Sequence, residues 1–294
     1  MDFGRLPDIS GVNFALPENG LQNLGSGKLN DSPRICIGTP RWADPGFTGK
    51  IYPPRAGQAN FLKHYTKSFQ TVELNATYYA VNPSWIAKWC AQVDPEFLFC
   101  PKFPQHISHD MRLRGTLLEE RAFKDALGGF GSKLGATWVL LPSDFGPEEL
   151  PALRQFLERW GGVFPLAVEL RHPGWFKEEW SKRVSELFLE TQTSWVITDV
   201  AGRRDVLHMN LPTSWFILRF VGNRHHPTDF TRIDAWVDRL VSWFQKGLSQ
   251  AFLFLHQPEE HLNVEIAEHL CRRLKKEGYE PRLPKRVVSQ ETLF

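Results

Sequence analysis

The chain has 294 residues, a length that fits two average domains of about 150 residues or a single barrel of roughly 250. Its net charge is only +2 with 23% charged residues, so it has no general basic field of the kind that holds nucleic acid. With 42% hydrophobic residues it can bury a large core, yet no apolar run approaches the roughly 18 residues of a membrane span.

Residues 1–33 are rich in Gly, Asn, Pro and Ser without sustained periodicity, and read as an irregular tail or a strap over the surface. They lack the basic-then-apolar pattern of a secretory signal. From residue 34 onward, short apolar runs alternate with amphipathic stretches. The runs cover 34–39, 71–75, 97–102, 137–141, 166–171, 194–199, 216–220 and 251–256. Between them the periodicity predicts helices over 58–67, 83–92, 117–134, 147–160, 177–191, 232–246 and 259–277. Eight buried-type strands alternating with helices predict an α/β protein: one (β/α)8 barrel of the TIM type over 34–280, with a C-terminal tail over 281–294. The stretch 201–214 is too short and irregular for a crossover helix, so the link between strands six and seven departs from the pattern. An open doubly wound sheet is the alternative, but it lacks its Gly-x-Gly-x-x-Gly turn, since only Gly38 follows Ile37.

Cys36, Cys90, Cys100 and Cys271 are scattered, which argues against a disulfide scaffold or cysteine zinc site and suits a reducing cytoplasm. The 11 tryptophans are several times the usual share. Trp85, Trp89, Trp160, Trp180, Trp236 and Trp243 stand at helical spacing and read as packing residues.

Polar residues inside buried strands carry the functional signal. Glu73 and Asn75 share one parity on the second strand; Glu169 and Arg171 share one on the fifth. Lys102, Asp199 and His256 end the third, sixth and eighth, and Arg219 lies in the seventh. The three carboxylates and three cations balance, so they can either neutralise one another or form a site at the C-terminal strand ends, where barrel enzymes place their catalytic groups.

Several motifs then carry a resemblance. Gly38-Thr39-Pro40-Arg41-Trp42, Pro45-Gly46-Phe47 and Tyr52-Pro53 resemble the opening of the YecE-like family, also called domain of unknown function 72. Val72-Glu73-Leu74-Asn75-Ala76-Thr77-Tyr78-Tyr79 is similar to its second-strand motif, and Lys102-Phe103-Pro104 to its third. The most specific match is Ala167-Val168-Glu169-Leu170-Arg171-His172-Pro173-Gly174-Trp175-Phe176. The resemblance spans about 34–275 and implies a triosephosphate-isomerase-type barrel; it implies no established activity, because the family is uncharacterised. Leu140 stands where the family has Gln, Val221 where it has His, and His256-Gln257 where it has Asn-Asn.

The expected chemistry is therefore acid–base catalysis by Glu73 and Glu169, with one carboxyl raised by burial, acting on a small polar or anionic, sugar-like substrate. Thr39, Trp42, Asn75, Tyr78, Lys102, Arg171, His172, Trp175, Asp199, Arg219 and His256 form the expected substrate-binding set, with Trp42 and Trp175 as stacking platforms. His172 reads as either a cap or a proton shuttle. No cofactor is expected; Glu169, Asp199 and His256 are the ligands a divalent metal would use, in competition with three cations. His106, His109, His225 and His226 read as loop histidines, and 272–276 as a basic helix end rather than a nucleic-acid patch. The alternative function is a non-catalytic module that holds a metabolite or a nucleic-acid end at the same charged mouth.

Overall fold

Alternation along the second strand shows how these elements assemble. Val72 and Leu74 are buried in an apolar layer with helical residues such as Phe61 and Leu62, whereas Glu73 between them bonds to groups on other strands. The computed structural model describes residues 4–24 and 32–287; the remainder of the expected tails lies outside the described residues.

The strands are β1 (Arg34–Gly38), β2 (Thr71–Leu74), β3 (Leu98–Pro101), β4 (Thr137–Leu140), β5 (Leu166–Glu169), β6 (Ser194–Trp195), β7 (Ile197–Asp199), β8 (Trp215–Val221) and β9 (Gln250–His256). The helices are α1 (Phe61–Tyr65), α2 (Ala76–Tyr79), α3 (Pro83–Cys90), α4 (Leu117–Gly128), α5 (Leu150–Trp160), α6 (Glu178–Glu190), α7 (Pro227–Gln245) and α8 (Asn263–Lys276). Each of the seven predicted helices is present, shortened or shifted at its ends. Pro83 and Pro227 occupy first-turn positions, where a missing N–H costs nothing. Gly161 takes a left-handed conformation that stops α5.

All strand pairs are parallel, but they form three sheets rather than the single closed ladder expected: β1-β9-β8-β7, β2-β3 and β4-β5-β6. The predicted sixth strand is two segments, interrupted at Val196, which itself donates to Val168 O at 2.9 Å. At the seams only isolated bonds pass. Gln70 N donates to Ile37 O (3.1 Å) and Glu73 N to Thr39 O (3.1 Å) between β2 and β1. Between β3 and β4, Phe103 N donates to Trp138 O (2.9 Å) and Gly135 N to Phe99 O (2.8 Å). Gly38 is required at the first seam, because a Cβ there would stand 2.2 Å from Thr71 O.

Two apolar clusters result. The larger fills the space between strands and helices; the smaller joins the opposite strand faces through Cys36, Leu98, Cys100, Ala136, Trp138, Leu140, Ala167, Val196, Ile217, Phe252 and Phe254. Of the six tryptophans assigned to packing, Trp160, Trp236 and Trp243 are fully buried, while Trp85 remains 42% exposed.

The irregular stretch 201–214 forms only a short turn at Arg204–Val206, and the N-terminal segment covers it. Leu16 and Leu24 pack on the larger core; Leu211 N donates to Leu21 O (2.7 Å) and Asn23 N to Leu211 O (2.8 Å). Asn19 Oδ1 accepts from Trp243 Nε1 (3.0 Å) and Arg239 Nη1 (3.1 Å). The strap thus occupies flank that a crossover helix would otherwise shield. No helix among the described residues is long and apolar enough to cross a membrane.

Candidate active site

The charged residues gather at the C-terminal strand ends, above the smaller core. Arg219, in β8, sits between two carboxylates. Its Nε and Nη2 donate to Glu73 of β2 (2.9 and 3.3 Å), and Nη1 donates to both oxygens of Glu169 in β5 (2.8 and 3.1 Å). Arg171 Nε donates to Glu169 Oε1 (2.8 Å), Asn75 Nδ2 to Glu73 Oε1 (3.0 Å), and His256 Nε2 to Glu73 Oε2 (2.9 Å). This forked pairing satisfies buried charges that would be costly alone.

Burial favours neutral carboxyls, but Arg219 and His256 outweigh it and hold Glu73 well below the usual carboxylate range. Arg171 and Arg219 likewise depress Glu169 against burial. The expectation of one carboxyl raised by burial therefore fails for this pair, because a shared arginine neutralises both. An ionised Glu73 can only accept, so His256 must donate from Nε2. Burial keeps His256 neutral by lowering its pKa, which leaves the lone pair on Nδ1.

Lys102 follows β3 and is only 1% exposed. Its Nζ lies 4.1 Å from the Tyr78 ring centroid and 5.0 Å from that of Trp138. Among the described residues this Nζ makes no hydrogen bond or ion pair, and the nearby carboxylate oxygens are engaged by Arg219, Arg171, His256 and Asn75. Burial and the Arg219 charge push it down to about 8, against the pull of Glu73 and Glu169.

A cavity of about 490 Å³ opens here, lined by Lys102, Glu73, Asn75, Tyr78, Arg219 and His256 and roofed by Arg5, Arg41, Gln257, Pro258 and Glu260. Glu260 went unremarked in the sequence. Its position at the start of a predicted helix gives it the look of a surface acid, but it stands on a tight turn over 260–262 and is 5% exposed. Burial raises its carboxyl to about 7 despite the Arg41 Nε contact at 3.2 Å. His109 is a second omission: read as a loop residue, it is half-buried with its ring edge-on to Tyr78 at 5.5 Å. Burial, then Lys102 and Arg171, lower its pKa.

Other expected site residues stand elsewhere. Asp199 faces the helices: Trp236 Nε1 donates to it at 2.7 Å, and Arg232 and Arg204 pair with it. Alternation through Ser194, Val196 and Thr198 turns it outward, so Glu169, Asp199 and His256 do not converge as a metal-ligand set. Among the described residues no group of three His, Cys, Asp or Glu is placed to hold a metal ion. Trp175 is fully buried, its Nε1 donating to Phe145 O (2.7 Å), and so offers no stacking face. Trp42 packs edge-on to Trp89 (5.5 Å), and Thr39 is buried against Tyr65. His172 caps a turn by accepting from Gly174 N at 3.1 Å. His226 caps α7 in the same manner.

The family profile described as protein of unknown function DUF72 matches residues 36–290. The chain belongs to the DUF72 family. It is 30% identical over 280 residues to the UPF0759 protein YecE of Escherichia coli strain K12, covering 88% of this chain and all of that protein. The UPF0759 protein YunF of Bacillus subtilis strain 168 is 30% identical over 151 residues, 48% of this chain and 52% of its own length. DUF72 family crystal structures share the fold. The one from Enterococcus faecalis V583 superposes with a TM-score of 0.69 at 18% identity, over 86% of this chain and 100% of its own. The one from Thermotoga maritima MSB8 gives 0.62 at 22%, over 83% and 98%. DUF72 is thus an α/β family whose function is unknown.

Proposed function

We propose that this DUF72 protein is an acid–base enzyme acting on a small polar, anionic substrate bound at the C-terminal strand ends. The observation that carries the reading is the 490 Å³ cavity, which brings Lys102, Glu260 and the Glu73–His256 pair together. Two of these groups titrate near neutrality, at about 8 and about 7, as proton-transfer chemistry requires. His256 Nδ1 is the base, held in its tautomer by Glu73; Glu260 is the acid. Glu73 and Glu169, first expected to exchange protons themselves, instead fix Arg219 and orient His256. Four cations, Arg5, Arg41, Lys102 and Arg219, line the cavity against Glu73 and Glu260, which suits a carboxylated or phosphorylated sugar-like ligand.

The same proposal includes a closed (β/α)8 barrel over 34–280, supported by the bonds Gln70→Ile37, Glu73→Thr39, Phe103→Trp138 and Gly135→Phe99 across the seams. The four free cysteines suit a cytoplasmic setting.

The test is incubation of the protein in D2O with a panel of sugar phosphates and sugar acids, followed by NMR. Loss of a carbon-bound proton or conversion is expected, and Glu260→Gln and His256→Asn should each slow it by about 10²–10⁴-fold. Saturable binding without exchange or conversion would replace the enzyme reading with a non-catalytic binding module.

A further inference from the structure

We propose that Lys102 is an imine-forming lysine, whose Nζ condenses with the carbonyl carbon of a small anionic aldehyde or ketone held in the cavity. This deepens the acid–base reading above and names its substrate class.

Three observations carry it. Lys102 lines the cavity, yet among the described residues it alone of the site's buried cations lacks a carboxylate in ion-pair contact: Arg219 holds both Glu73 and Glu169, and Arg171 holds Glu169. A cation kept only for structure would be paired. Burial and the neighbouring Arg219 charge disfavour the ammonium, against the attraction of the Tyr78 and Trp138 faces, and desolvation beside another cation is how a lysine is made nucleophilic. With a pKa of about 8, roughly a tenth of the amine is unprotonated at pH 7. Finally, an acid and a base line the same cavity, so the proton transfers of condensation have partners.

The steps balance without an outside oxidant or reductant. The Nζ lone pair attacks the carbonyl carbon, forming the C–N bond, and a proton passes from nitrogen to the new alkoxide. The carbinolamine hydroxyl takes a proton from the Glu260 carboxyl and leaves as water while the nitrogen lone pair forms the C=N bond. The products are an iminium on Lys102, a Glu260 carboxylate and one water. The iminium draws electrons from the adjacent C–H bond, whose proton His256 Nδ1 accepts. Hydrolysis by the reverse path restores the amine.

The experiment uses the full chain with sodium cyanoborohydride and, separately, pyruvate, dihydroxyacetone phosphate and acetone, read by intact mass and peptide mapping. Expected is one reduced adduct per chain on Lys102 with the anionic ketones. It should form at least ten-fold faster at pH 7 than on any other lysine, at a rate that levels off above about pH 8. Lys102→Arg, which keeps the cation over Tyr78 and Trp138, should remove the fast adduct. Labelling of Lys102 no faster than exposed lysines, or a fast adduct that survives Lys102→Arg, overturns the proposal. Proton exchange that persists in Lys102→Arg rejects the imine and leaves the acid–base reading standing. Adduct formation without exchange on any substrate rejects the acid–base reading and leaves the reactive amine.

Discussion

Two buried charge clusters lie on opposite faces of the strands, and they differ in completeness. On the helix side, Asp199 receives Trp236, Arg232 and Arg204, while Arg232 also donates to Val221 O and stacks on Phe220. Each of these charges is engaged by an opposite charge. At the C-terminal strand ends, Glu73, Glu169, Arg219 and Arg171 are just as well paired, yet Lys102 is left over beside a cavity. Buried charge in a strand is therefore a poor sign of function by itself. A buried charge without a partner, next to open space, is the better one.

The largest effect should come from breaking the complete cluster. Asp199→Ala takes from Arg232, only 1% exposed on its side chain, the nearer of its two carboxylates, leaving Asp229, and removes the acceptor of Trp236 Nε1; it should cost about 3–5 kcal/mol in urea unfolding. Adduct formation at Lys102 should survive in the folded fraction; its loss would mean that the two clusters are coupled. Lys102→Met should act in the opposite direction. The folded state holds this amine at about 8, below its ordinary 10.5, so the ammonium is penalised at every pH under 8. The penalty fades as pH rises from 8 through 10.5. Removing the amine should stabilise the protein by up to about 3 kcal/mol at pH 7, with the gain shrinking toward pH 10. A destabilised Lys102→Met would show that its aromatic contacts outweigh its desolvation.

Glu260 offers a pH test of opposite slope and comparable size. Its folded pKa of about 7 exceeds the ordinary 4.5, so its contribution is fully present below 4.5 and is lost as pH rises to about 7. Glu260→Gln should flatten that decline by about 3 kcal/mol across this window. Glu73, Glu169 and Asp199 behave in reverse: their depressed pKa values give stability that is lost only as pH falls below the ordinary carboxylate range. The smallest change concerns the strap. Asn19→Ala removes the one oxygen that accepts from both Trp243 and Arg239 and should cost about 1 kcal/mol, with faster amide exchange at Leu211.

The repeat of strand and helix was legible because period-two and period-3.6 patterns depend on local geometry. So was the convergence of Glu73, Asn75, Lys102, Glu169, Arg171, Arg219 and His256, since each is a polar residue in or at the end of a buried strand. The orientation of Asp199 was not read: it depends on the alternation through Val196 and on which side of the sheet Arg232 and Trp236 occupy. Trp175 carries the same motif signal as its neighbours but spends its indole on Phe145. Glu260 and His109 became visible only once a turn and a loop folded over the strand ends.

The sequence by itself determined the α/β class, the order of elements and a set of inward charges, which follow from local periodicity and residue type, while its motifs carried the resemblance to the DUF72 family. Only the tertiary structure decided which carboxylate pairs with which cation, and that Lys102 has no ion-pair partner among the described residues. Pairing depends on distances between residues far apart in the chain, such as 73 and 219, and a charge's pKa depends on what surrounds it in space.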